Sequence, residues 1–231
     1  PSYTGYLTFQ GDDRYIKVVD RSGVTFPSLS RKSDAATVLN PTTNPIFVEC
    51  DVAIPDTASG KQYLFHHMSS AGVGYAAYFE SSVLAAENVD VNFVITSGSL
   101  KLSNTAKIPK GKFNHLCFYY DTSVGKRRSY IVSGSEVVST SDRVTFQNID
   151  TEGAPLLIGS GSELGSFVPT QTLSGSINNF RVFHEVRTPS QIDRYTKRTL
   201  FADQNPRVNF RFNEATGSYT NSNTVLDHSG Q

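Results

Sequence analysis

Two carboxylates stand two residues apart in an alternating stretch: Glu49 and Asp51, within residues 46–54. With a period of two, Ile46, Val48, Cys50 and Val52 take one face, and Phe47, Glu49, Asp51 and Ala53 take the other. Paired carboxyls on one face could act as nucleophile and acid of a retaining glycosidase, which needs them about 5 Å apart; the competing expectation is an exposed strand face. His66 and His67 are adjacent, and neighbours on a strand point to opposite sides. They cannot readily ligate one metal, and one is expected inside and the other outside. Asp12 and Asp13 share a turn. Calcium takes several carboxylate and carbonyl oxygens, but Asp is also an ordinary turn residue, and both readings stand. Tyr75, Tyr78 and Phe79 offer either an aromatic platform for a sugar or packing for a sandwich. No serine or cysteine falls in a nucleophile motif with a paired histidine, and no two histidines have metal-ligand spacing on one face. Gly159 and Gly161 do not begin a dinucleotide fingerprint, because no helix follows and the glycine spacing is wrong.

The elements that must position these groups are short strands. The 231 residues suffice for a full core in one domain, rich in Ser, Thr, Asn, Gly, Tyr and Phe and poor in helix formers. Lys plus Arg and Asp plus Glu both number 21, which argues against a nucleic-acid or anionic-membrane binder. No apolar run is long enough to span a bilayer. The chain begins at Pro1, so it is expected to be processed or part of a larger polypeptide. Cys50 and Cys117 lie within strands and are expected as buried free thiols, since a disulfide framework would be denser. No Asn-x-Ser/Thr acceptor with a permitted middle residue occurs, which weighs against a glycosylated animal ectodomain.

In chain order, strands are expected over residues 5–9, 15–19, 46–54, 63–68, 72–79, 89–95, 100–108, 113–120, 130–132, 137–138, 144–149, 155–158 and 207–214, with Gly, Pro, Asn and Asp at the turns between them. One short helix is legible near Thr188, which can cap it. Pro189 suits the first helical position, Gln191 completes the capping box, and Ile192 and Tyr195 share a face.

The stretch that organises the chain is Gly-Lys-Phe-Asn-His-Leu-Cys-Phe-Tyr-Tyr-Asp from Gly111, followed by a loop and Tyr-Ile-Val-Ser-Gly from Tyr130. It resembles the central segment of the laminin-G-like, concanavalin A-like lectin superfamily. Gly111, Lys112, His115, Tyr120, Asp121, Tyr130 and Gly134 match that pattern, with Phe113 for the usual Trp and Ser133 for the usual Asp. Residues 9–18 resemble the family's Phe-Asp-Gly-x-Asp opening. Residues 173–183 resemble its Gly-x-Ile-Asp-Asp-φ-Arg strand (φ apolar), with Asn178 and Asn179 replacing both acids. Residues 188–192 fit its short helix. The motifs at 207–214 and 225–230 usually begin the domain and here come last, so residues 206–231 either close the sandwich or open a further copy.

The resemblance implies an all-β fold over residues 1–231, a two-sheet antiparallel jelly-roll sandwich of the concanavalin A-like class with one short helix near Thr188. It also implies calcium at one edge, with Asp12, Asp13 and the Asn178 side chain as ligands, although Asn in place of Asp lowers the charge of such a site. Jelly-roll glucanases on this architecture carry Glu-x-Asp-x-Glu along one strand; here Ala53 occupies the third place, which argues against catalysis. The expected function is non-catalytic recognition of a glycan or protein by a module of a larger extracellular or virion-surface protein. Recognition is expected in loops at residues 22–44, 69–74 and 160–170. The absence of Trp tilts the ligand from glycan toward protein. The rivals are a structural or assembly module of a phage or virus particle and a glycoside hydrolase.

Overall fold

The structure, a computed structural model, describes residues 5–18, 38–81, 87–134, 136–151, 153–196, 200, 204–213, 225 and 227–229. The strands, in chain order, are β1 (Leu7–Gln10), β2 (Ile16–Val18), β3 (Ile46–Ala53), β4 (Gly60–Met68), β5 (Gly74–Ser81), β6 (Asn88–Ser97) and β7 (Leu100–Pro109). They continue as β8 (Phe113–Tyr120), β9 (Ser129–Ser133), β10 (Glu136–Thr140), β11 (Leu156–Ile158), β12 (Ser174–Phe183) and β13 (Val208–Phe210), with helix α1 (Pro189–Thr196) before the last. Among the described residues these form a jelly-roll sandwich. The first sheet runs β1-β12-β3-β8-β9-β10 with β13 also on β12, and the second runs β2-β11-β4-β5-β6-β7.

The core lies between the sheets. Val48, Cys50 and Val52 of β3 and Leu116 and Phe118 of β8 face it and are fully buried. Phe65 meets Phe118 and Phe180 edge to face, at centroid separations of 5.4 and 5.9 Å, the geometry the ring quadrupole favours. A bulge in β4 between Tyr63 and Phe65 turns both Leu64 and Phe65 into this core. One expected strand is absent. Residues 144–149 form no ladder beyond an isolated bridge at Ile149; the Tyr120 hydroxyl instead donates to the Val144 carbonyl and accepts from the Phe146 N–H.

The outward faces are not bare, which corrects three expectations. Glu49 is buried to 1% exposure and Phe47 packs with Cys117, Val132, Phe183, Ile192 and Leu200, so this half of β3 lies under α1 and Leu200. The helix is fixed by its capping box: Thr188 N–H donates to Gln191 Oε1, and Gln191 N–H donates to Thr188 Oγ1. On the second sheet both histidines are buried. His67 points inward, bonded to the Tyr75 hydroxyl and the Ala154 carbonyl. His66 points outward but is covered by the segment at 161–167. The loop at residues 160–170 is pinned. Tyr63 donates to the Ser162 carbonyl, Phe167 packs on Tyr63 and Tyr78, and Thr170 N–H donates to the Lys61 carbonyl. A Cβ on Gly161 would come 2.6 Å from the Tyr63 ring, so only glycine allows this approach. Most of the loop at 22–44 lies outside the described residues.

Candidate functional site

Half of the first sheet's outer face stays open. Across it, Thr8, Ser176, Ala53 and Phe113 form one row through β1, β12, β3 and β8. Alternation points the small and hydroxyl-bearing members of this row away from the core. Tyr6 and Phe113 are 55% and 46% exposed, yet their rings meet edge to face at 5.6 Å, although β12 and β3 lie between β8, which Phe113 begins, and β1, which Tyr6 directly precedes. Beside this aromatic pair is an open cleft of ≈ 550 Å³, lined by Thr8, Gln10, Ala53, Asp56, Ser174 and Ser176, among others. Two glycines are part of its lining. A Cβ on Gly175 would sit 2.7 Å from the Ala53 carbonyl oxygen, and Gly111, with φ of 71°, faces the Asp56 carboxylate. Hydroxyls, an amide and a carboxylate line the cleft, and with the exposed Phe113 ring next along the same row they can together bind a polyhydroxylated molecule.

Between this open half and the helix lies a polar row. Arg181 donates to Glu49 Oε1 at 2.6 Å and to the Tyr195 carbonyl at 3.1 Å. His115 Nδ1 stands 2.7 Å from Asp51 Oδ1, and Asn179 donates to Asp51 Oδ2 at 2.9 Å. A β-bulge in β12 between Asn178 and Arg181, with Asn179 at φ of 48°, aims that amide. His115 Nε2 lies 3.6 Å from Cys117 Sγ.

Cys117–His115–Asp51 therefore has the connectivity of a nucleophile relay, a pairing invisible in the sequence. The thiol is fully buried, and burial, with the Glu49 carboxylate adding, pushes its pKa well above the ordinary value, so it is set against forming a nucleophilic thiolate. The two strand carboxylates are each engaged, Glu49 by Arg181 and Asp51 by His115 and Asn179. The third position of the alternation, Ala53, brings only a methyl group to the cleft.

The residues expected to hold calcium do not converge. Asp12 pairs with exposed Arg14 at 3.1 Å, and Asp13 N–H bonds the Thr172 hydroxyl just before β12. Asn178 lies four residues beyond Ser174, the first residue of that strand, about 13 Å along it, and its side chain accepts from the Asn179 N–H. The aromatic trio also divides: Tyr75 and Phe79 are core, and Tyr78 packs on Tyr63 and Phe167. Tyr6, Gln10, Asp56, Ser174 and Ser176 went unremarked in the sequence, because strand order rather than local pattern gathers them.

Solved structures share the architecture at low identity. A heptameric SAP-like pentraxin from Limulus polyphemus is 14% identical with a TM-score of 0.57, over 84% of this chain and 82% of that one. A putative carbohydrate binding protein from Bacteroides ovatus is 14% identical with a TM-score of 0.59 over 82% of this chain, which spans half of that protein. The CBM40 of a Ruminococcus gnavus IT-sialidase, bound to α2,3 sialyllactose, is 13% identical with a TM-score of 0.50, over 84% and 97% of the two chains. No curated protein matches the sequence. The family profile described as the concanavalin A-like lectin/glucanases superfamily matches residues 23–193, well over half of the chain, and the chain belongs to that superfamily.

Proposed function

We propose that the chain is a non-catalytic recognition module whose ligand is a glycan, taken in the cleft beside Tyr6 and Phe113. The observation that carries this reading is the exposed aromatic pair Tyr6 and Phe113 standing near hydroxyl, amide and carboxylate groups on one sheet face. Large exposed aromatics cost free energy in water, and a sugar's C–H face removes that cost while its hydroxyls pair with Thr8, Gln10, Asp56, Ser174 and Ser176. Two of the similar folds, those named for carbohydrate binding and for bound sialyllactose, support the class of ligand without fixing its identity. The cleft, rather than the pinned loop at 160–170, is the place of recognition. An extracellular or virion-surface setting belongs to the same proposal.

A glycan array probed with the whole chain tests it, alongside a polysaccharide hydrolysis screen. Binding without turnover is expected. Hydrolysis that disappears in Glu49→Gln would overturn the non-catalytic part. A second reading, assembly through a sheet edge, has one observation in its favour: Val137 and Val138 on edge strand β10 are 55% and 44% exposed. The bulge between Val137 and Ser139 blunts that edge against strand addition. Self-association lost in Val137→Lys would favour assembly.

A further inference from the structure

Glu49, His115 and Cys117 present a carboxylate oxygen, an imidazole nitrogen and a sulfur that all lie within 4.8 Å of one another. Their convergence follows from the ladder. His115 and Cys117 are two apart on β8 and so share its outer face, and Glu49 is directly opposite Cys117 on β3. Independently of this clustering, Glu49 Oε2 is buried and has no hydrogen-bond partner, while its other oxygen is held by Arg181. A buried carboxylate oxygen without a partner is costly, and it calls for a cation on that side. The surrounding shell is already arranged. Asp51 holds His115 through Nδ1, leaving Nε2 to face Cys117, the carboxylate–histidine relation that orients a ligating imidazole.

We infer that Glu49 Oε2, His115 Nε2 and Cys117 Sγ form a binding site for a divalent transition-metal ion of the zinc class, separate from the glycan cleft. The mixed oxygen, nitrogen and sulfur set excludes calcium and magnesium, which take oxygens, and suits zinc with three protein ligands and an open fourth position. The Sγ–Nε2 separation of 3.6 Å equals the edge of about 3.6 Å that Zn–S and Zn–N bond lengths give in a tetrahedron. With every pair within 4.8 Å, closing the remaining edges asks for at most about 1.4 Å of side-chain movement relative to those bond lengths. The charges also balance. With Cys117 ionised on binding and its proton released to solvent, Glu49, Asp51 and Cys117 carry three negative charges against one on Arg181, and a divalent ion supplies the missing two.

The test is a cobalt(II) titration of the whole chain after stripping with a chelator, followed by displacement with zinc. One equivalent of cobalt should produce a thiolate-to-metal charge-transfer band, zinc should abolish it, and zinc should raise the Tm of the stripped chain. Cys117→Ser should remove the band, and Asp51→Asn should weaken binding 10- to 100-fold by loosening His115. Circular dichroism verifies that each variant is folded. The wild-type titration decides the matter even where a variant is not folded: absence of the band overturns the site. So does a band that survives in folded Cys117→Ser or vanishes only in Cys50→Ala.

Discussion

Cys50 and Cys117 are one position out of phase across the β3–β8 ladder, Cys50 opposite Leu116 and Cys117 opposite Glu49. Their thiols therefore leave opposite faces of the sheet, and both are buried and free. Intact mass should not change on reduction, and alkylation should await unfolding; a gain of about two daltons, the mark of an S–S bond, would refute this. Burial also lowers the pKa of His66 to about 4 and of His67 to about 3, against about 6.5 in the unfolded chain. The unfolded state thus binds more protons below pH 6.5, and stability present at neutral pH is lost as pH falls through that value. By pH 5 each histidine should remove about 2 kcal/mol, read as a lower urea midpoint than at pH 7.5; equal midpoints would contradict it. At this scale the sequence showed which faces the residues take, since alternation is local. It did not show that the outer faces were partly covered, so Glu49 and one of the two adjacent histidines were expected outside when distant segments bury Glu49 and both histidines.

Strand β8 was legible to the residue because its aromatic and apolar run ends at clear turns on both sides. The helix was legible from its cap alone. Thr188→Ala should cost about 1 kcal/mol, and because α1 covers Phe47, Cys117 and Phe183, that loss should appear in global unfolding rather than as local fraying. The segment at 160–170 has turn composition and looks free to vary, but Leu164, Phe167 and Gly161 bind it to the second sheet. Phe167→Ala should cost about 3 kcal/mol or more, and exchanging the whole segment should lower Tm; an unchanged Tm would mean the segment is not part of the folded unit. Bulges were the least legible elements. Asn179 reaches Asp51 only because β12 gains a residue where its outer neighbour changes from β1 to β13, an event with no local signature in sequence.

The whole molecule is a sandwich with its core between two sheets and with partial covers on both outer faces, one from α1 and one from the 161–167 segment. Among the described residues, one uncovered part of the first sheet is where Tyr6 and Phe113, 107 positions apart in sequence, bring their rings together. The fold class could be read from motifs spread along the chain. This surface could not, because it depends on the order β1-β12-β3-β8, which no local pattern encodes. The central claim is that this surface binds a glycan. Isothermal titration of the strongest array ligand into the wild-type chain and into Tyr6→Ala/Phe113→Ala tests it most directly. Saturable binding by wild type, weakened at least tenfold in a variant of nearly unchanged Tm, is the predicted result; equal affinity in the two proteins, or no glycan bound by either, would contradict it.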